Sequence, residues 1–422
     1  MMTAQHTAAH EWRLYWALAL TTAVGFSFHS VATYSIGLFI EPLQAEFGWG
    51  RAVITAGLTI SALLTVPLAP IVGAMIDRWG TRRLAIPGLI LKALSLCVFA
   101  FADGSEAQWY ALWTFYALVA LGVKATVWTA AISSVFSAGR GLALAVTLSG
   151  TAVAQILAPP LTQWLIAEFG WRTAWVALGL GWGFPALLLA ILCLYDARDR
   201  ERRARAPGDT SAPSLDLRGL TPREALRSTA LIRIGIATLV ILILTIGVIV
   251  HQVPILAERG VDREKAAYLA SLAGVAGIVG KLLTGYLMDR VDAGWVAAAT
   301  MSALAVALFA LLRASADSAL LLFAIALIGY ASGCKIQICA YLTSRYAGMR
   351  HFGKIFGVMS SLIALGAGLG PLLVGAVHDA YGGYAPFLLA GIPGALLGGF
   401  LLVGLGPYPD WSAAQGVKDS SP

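Results

Sequence analysis

Between short breaks rich in charge, glycine or proline, this chain runs apolar for about 20 residues at a time, repeatedly, from residue 14 to residue 405. A run of that length can cross the hydrocarbon core of a bilayer as an α-helix, and inside lipid a helix satisfies its backbone N–H and C=O groups within its own segment. Composition agrees: 59% of the 422 residues are hydrophobic and only 12% are charged, against about 25% charged in a soluble domain. A soluble globular fold is excluded, as are disordered, collagen-like and disulfide-scaffold chains. Spans are expected near 14–40, 52–75, 84–102, 109–136, 141–167 and 172–194, then near 231–256, 266–288, 294–312, 318–344, 354–378 and 385–405. The fold class that follows is an all-α polytopic membrane protein with 12 transmembrane helices. The polar opening MMTAQHTAAHEWRLYW enters the first run without a convincing cleavage site, so that run is expected to be a membrane helix rather than a removed signal.

With both termini cytoplasmic, nineteen of the 29 Lys and Arg residues fall in inner segments, six in outer segments and four inside spans. This is the positive-inside pattern, and it persists at eleven to six when the eight arginines of the central loop are set aside. The net charge of +7 is therefore a topology signal spread over short loops, not a patch for nucleic acid. The expected location is the inner (plasma) membrane of a bacterial-type cell. Cys97, Cys193, Cys334 and Cys339 lie in apolar runs without CxxC spacing, which indicates neither a disulfide framework nor a zinc site, and no cofactor is expected. Paired acids, a GxSxG elbow and a GxxxxGKS/T loop are all missing from the sequence, so neither an enzyme nor a nucleotide-driven pump is expected.

The charged, Pro-containing stretch from Asp196 to Arg227 reads as a cytoplasmic linker. It divides the chain into an N-terminal six-helix bundle (1–195), a linker (196–229) and a C-terminal six-helix bundle with a short tail (230–422). Shifting the sequence by 212 positions aligns the two halves without a gap through five spans and part of the sixth. Pro42 matches Pro254, Glu46 matches Glu258, Arg51 matches Arg263, Gly73 matches Gly285, Asp77 matches Asp289, Arg78 matches Arg290, Gly141 matches Gly353 and Pro159 matches Pro371. Apolar matches are cheap in such a chain, whereas Pro, Asp, Glu and Arg are scarce. A direct repeat preserves orientation only with an even number of spans, so a 6+6 plan follows, with a cavity between two bundles that rock to give alternating access.

Between the second and third spans stands Gly73-Ala-Met-Ile-Asp77-Arg78-Trp-Gly80-Thr-Arg82-Arg83, with a shorter copy, Gly285-Tyr-Leu-Met-Asp289-Arg290, after the eighth. This loop resembles the signature loop of the major facilitator superfamily. The resemblance, which covers nearly the whole chain, implies that Asp77, Arg78, Arg82, Asp289 and Arg290 gate the cytoplasmic side. Within that superfamily the chain is similar to the monocarboxylate porter and oxalate/formate antiporter group, through Phe47-Gly48-Trp49 with Arg51, Arg140-Gly141-Leu-Ala ahead of Pro159-Pro160, Phe169-Gly170-Trp171-Arg172, and a basic residue in the eighth span. That group typically has arginine where Lys281 stands here, and several members have an acid where this chain has Gly277.

Four lysines, Lys92, Lys124, Lys281 and Lys335, fall inside spans, while the 22 Asp and Glu residues fall in loops or at helix ends. A lysine near the bilayer centre costs roughly 2.5–3.5 kcal/mol on the insertion scale, so four cost about 10 kcal/mol if unrelieved. An anion in a watery cavity relieves that cost, since opposite charge keeps each lysine protonated. Lys281, Lys124 and Lys335 are the candidate ligands, with Tyr34, Tyr330, Gln337 and Tyr341 as hydrogen-bonding candidates. Helical spacing sets Lys335 almost opposite Gln337, so the two are not both expected to face one cavity. Lys92, in the third span, is expected to snorkel to the inner surface. His251 and His29, the mid-span histidines, are the candidate proton carriers.

The reading reached is a secondary active transporter of a small organic anion, a mono- or dicarboxylate, by proton-coupled symport. Its partners are the anion, protons and the bilayer, and it is expected to work as a monomer. Two alternatives stay open: anion exchange, and export of a hydrophobic or aromatic compound stacking on Trp113, Trp128 and Tyr341.

Overall fold

A computed structural model describes residues 7–197, 199, 218–409 and 411 of the chain. Most of the expected linker and the C-terminal tail therefore lie outside the described residues. Nearly everything described is helical, and the β-structure among these residues is one isolated bridge, Gly219 to Gly348. In order the helices are α1 (Ala8–Ser35), α2 (Ile40–Phe47), α3 (Arg51–Trp79), α4 (Thr81–Val98), α5 (Glu106–Ala120), α6 (Ala125–Val135) and α7 (Arg140–Cys193). After the linker come α8 (Pro222–Ala225), α9 (Thr229–Val250), α10 (Gln252–Ala257), α11 (Arg263–Met288), α12 (Ala293–Arg313), α13 (Ala319–Ala347), α14 (Phe352–Tyr381) and α15 (Ala385–Phe400).

Among the described residues, nine helical segments are long and apolar enough to cross a membrane, and two shorter apolar helices accompany them. Helix α7, at 54 residues, is about 80 Å of helix if straight, more than twice a bilayer core. It turns at Gly170, whose φ of 78° is a conformation that glycine adopts without steric cost. Large apolar side chains such as Phe101, Phe184 and Phe400 point outward, as a multi-pass membrane protein requires. Inside the first half an aromatic column forms the core, with Phe39 stacked on Trp175 at 4.0 Å and Phe99 on Trp175 at 4.9 Å.

Two expected spans are interrupted. The stretch 109–136 forms α5, a 3-10 turn at Leu121–Val123 and α6, with Lys124 in extended backbone (φ −74°, ψ 172°) between them. Trp128 stabilises the break by donating its indole N–H to the carbonyl oxygen of Val123, a group the α-ladder would otherwise use. The stretch 231–256 breaks at His251, which caps α9 before α10 begins.

The end of the array where residue 197 leaves and residue 218 returns, the linker side, is closed by contacts between the two halves. Helix α3 lies against α14 and α7 against α11, and glycine makes both approaches possible. A Cβ on Gly73 would sit 1.9 Å from the carbonyl oxygen of Gly353, and one on Gly141 would sit 2.4 Å from that of Gly285. These are the pairs that the 212-residue shift exchanges.

Candidate functional site

The same exchange governs the polar closure. The Asp77 carboxylate accepts from the backbone N–H groups of Gly353 (2.7 Å) and Lys354 (2.8 Å). Asp289 accepts from those of Gly141 (2.7 Å) and Leu142 (2.9 Å). Each carboxylate thus fills the free donors in the first turn of a helix from the other half, where the helix dipole also favours negative charge. Burial pushes the Asp289 carboxyl up to about 6, against the pull of those two N–H groups and the Arg140 guanidinium. Arg140 joins the closure by donating to the Ser344 hydroxyl at 3.2 Å.

The arginines of the loop sit differently from the two aspartates. Arg82 donates to the carbonyls of Leu194 and Ile191, tying α4 to the end of α7 within the first half. Arg290 lies over the Tyr286 ring at 4.0 Å, and both Arg290 and Arg78 are exposed. Two acids overlooked in the sequence also work on this side. Glu11 receives the N–H groups of Ser137, Ala138 and Gly139 just ahead of α7, and Asp196 receives the N–H of Thr81 at 2.8 Å. Their signal was present but weak: isolated carboxylates beside apolar runs.

Away from the linker side a cavity of about 440 Å³ opens between the halves. Tyr34, Thr151 and Gln155 line it from the first half, and Gln252, Lys281, Ser332 and Lys335 from the second. No Asp or Glu is among its lining residues. The Lys281 ammonium donates across the divide to the carbonyl of Leu148 and the hydroxyl of Thr151, both at 3.2 Å. The Lys335 ammonium folds back on α13, donating to the carbonyl (2.9 Å) and hydroxyl (2.6 Å) of Ser332. Both charges therefore rest on neutral oxygens, which an arriving carboxylate outcompetes. Gln155 and Ser332 were readable as rare polar residues in apolar runs, but their facing required the fold.

The other candidates stand off this wall. The Tyr330 hydroxyl lies 3.0 Å from that of Thr284 and 3.2 Å from that of Thr300, Gln337 donates to the Gly141 carbonyl at 3.3 Å, and Tyr341 donates to that of Met288 at 3.0 Å. These bonds hold helices together. Lys124 donates to the Thr65 hydroxyl at the helix break rather than standing on a helix face. Trp113 and Trp128 are fully buried in helix packing. The expectation that Lys92 snorkels is corrected. It is fully buried, donating to the Tyr116 hydroxyl (2.7 Å) and the His29 carbonyl (3.2 Å), with its ammonium 4.1 Å from the Tyr116 ring centroid. That cradle supplies acceptors and a π-face locally, so the side chain has no need to reach the surface.

His29 stacks on the cavity-lining Phe26 at 5.7 Å, and its Nδ1 has no hydrogen-bond partner among the described residues. His251 adjoins Gln252 and contacts the Tyr384 hydroxyl (3.3 Å) and the Pro371 carbonyl (3.2 Å). At the end opposite the linker, Glu46 pairs with Arg172 at 2.6 Å and accepts from the Trp171 indole.

The monocarboxylate transporter 13 of Rattus norvegicus is 28% identical over 381 residues, covering 88% of this chain and 83% of the relative. The monocarboxylate transporter 11 of Homo sapiens is 27% identical over 404 residues, covering 88% and 78%. Among solved structures, the human organic anion transporter MFSD10 (TETRAN) superposes with a TM-score of 0.69 at 19% identity, covering 93% of this chain and 99% of that one. The E. coli fucose:proton symporter FucP gives 0.68 at 16% identity, covering 92% and 98%. A bacterial homologue of the iron transporter ferroportin in its outward-facing state also gives 0.68, at 14% identity, covering 92% and 99%. The family model of the Major Facilitator Superfamily matches residues 22–263 and 234–419. A family match that runs nearly the length of the chain, with relatives named as transporters, shows that this protein belongs to the major facilitator superfamily and is a transporter rather than an enzyme.

Proposed function

We propose that this protein carries a small organic anion, a mono- or dicarboxylate, across the membrane by alternating access, as a proton-coupled symporter. The observation that carries the reading is a cavity with two lysine ammoniums, Lys281 and Lys335, and no carboxylate among its lining residues. Substrates with cationic groups would want the opposite lining. The relatives named monocarboxylate transporters support an acid as cargo. Because Trp113 and Trp128 are buried in helix packing and Tyr341 stands off the cavity wall, export of an aromatic compound loses all three of its stacking surfaces.

In this reading residues 1–195 and 230–422 rock as two bodies joined by the linker 196–229, with the linker side cytoplasmic in a bacterial-type inner membrane. The carrier acts as a monomer. Asp77 and Asp289 latch the cytoplasmic side, with Arg78, Arg82 and Arg290 supporting their loops. A bound carboxylate draws the Lys281 ammonium from Leu148 and Thr151, loosening one tie between the halves at the moment the site fills. Lys124 supports the site from the helix break, and Tyr34 offers a hydroxyl donor at the cavity wall. Tyr330, Gln337 and Tyr341 reach the substrate only if that rocking releases their bonds. His251 and His29 carry the coupled proton, or the substrate carboxyl does.

Proteoliposome uptake of a labelled carboxylate panel, with and without an inward proton gradient, tests this for the native protein and Lys281→Gln. Gradient-stimulated uptake that falls roughly tenfold to a hundredfold in the variant is expected, the range of one lost charge-assisted bond. Uptake that ignores the gradient but needs a preloaded acid would replace symport by anion exchange. No uptake of any acid would refute the reading.

A further inference from the structure

Resting on that reading, we infer that the preferred cargo is a dicarboxylate, held by Lys281 and Lys335 together. The two lysines rise from one seam. Helices α11 and α13 are in backbone contact beside the cavity: a Cβ on Gly333 would lie 2.2 Å from the carbonyl oxygen of Gly277, and one on Gly329 would lie 2.2 Å from that of Ala273. Near the lysines in sequence the same helices are tied by the Thr284 hydroxyl and the Cys334 thiol, 3.2 Å apart. Thr284 follows Lys281 by three residues and Cys334 directly precedes Lys335, so the two stems leave neighbouring points of the seam and both side chains line the one cavity.

Charge then sets the valence of the guest. Helix α13 carries no acidic residue along its length, and Asp289, beyond the end of α11, is occupied by the N–H groups of Gly141 and Leu142. Neither ammonium has a carboxylate partner among the described residues, and the cavity lining supplies none. A monocarboxylate neutralises one of them. When the halves close over it, the second ammonium stays uncompensated in a low-dielectric site, which is unfavourable. A dianion neutralises both and lets each lysine exchange neutral acceptors for a carboxylate. Because both lysines belong to the second half, this binding needs no prior closure.

The test measures uptake at pH 7.5 of malonate, succinate and glutarate against acetate, propionate and butyrate in proteoliposomes, for the native protein, Lys335→Gln and Lys335→Arg. The native protein is expected to favour a dicarboxylate by roughly tenfold or more in kcat/KM, one charge-assisted bond's worth. Lys335→Gln should erase that preference, lowering kcat/KM for the dicarboxylates roughly tenfold more than for the monocarboxylates, and Lys335→Arg should preserve it. Elution of purified Lys335→Gln at the native volume in size-exclusion chromatography, together with an active Lys335→Arg, shows that the variant folds. Equal handling of both classes by the native protein, or a parallel loss of both in Lys335→Gln while Lys335→Arg is active, overturns the dicarboxylate assignment and leaves the anion reading intact. Failure of every acid in the native protein is instead the failure of that reading.

Discussion

Replacing Asp77 by Asn tests the latch where its energy is most concentrated. The carboxylate accepts two N–H groups, at 2.7 and 2.8 Å, at the start of α14. The amide keeps the shape, but one of its two positions becomes an NH₂ that faces an N–H, so one bond is lost and the other loses its charge. A hydrogen bond to a charged group is worth about 1.5–3 kcal/mol, and charge at a helix N-terminus about 0.3–1 kcal/mol. Asp77 is partly exposed, which argues for the lower part of the combined range, about 2–3 kcal/mol. At about 1.4 kcal/mol per decade, linker-side closure should weaken roughly 30- to 150-fold. Spin labels on cysteines introduced at the exposed Arg83 and Arg350, one in each half, read this by double electron–electron resonance after replacement of the four native cysteines. A protein almost wholly closed should move to a mixture with a substantial long-distance population. An unchanged distance distribution in Asp77→Asn would refute the argument that this carboxylate holds the halves together.

The Asp289 carboxyl, raised to about 6 by burial when the linker side is closed, returns towards the ordinary carboxylate range when that side opens to water. The closed state therefore binds the proton more tightly. Its added stability is full below the ordinary carboxylate value and is lost as pH rises through about 6. The closed fraction, read by the same labels, should fall between pH 4.5 and 7 by an increment that Asp289→Asn removes; a pH-independent native fraction would contradict this. Gly285→Val should hold the linker side open whatever the pH, because even a Cβ there would lie 2.6 Å from both the Gly141 carbonyl oxygen and the Gln337 amide nitrogen. A closed distance distribution in this variant would show that the contact yields.

Much of this protein was legible before any fold was drawn, because lipid is an intolerant solvent. Long apolar runs have to be helices, scarce charges have to sit at their ends, and a 212-residue repeat of Pro, Asp, Glu and Arg has to mean two related halves. The pairing of Gly73 and Asp77 with Gly285 and Asp289 was in the sequence, and so was the presence of four lysines without acids in the spans. What those residues touch was not. Asp77 fills the first turn of α14, a partner set by the packing of α3 on α14. The four span lysines looked alike along the chain. Tertiary structure sent Lys92 into an aromatic cradle, set Lys124 at a helix break that Trp128 completes, and brought only Lys281 and Lys335 to the cavity wall. Local periodicity fixes a residue's direction on its own helix, whereas the identity of the neighbour depends on how helices distant in sequence cross, and that is set by the whole packed array.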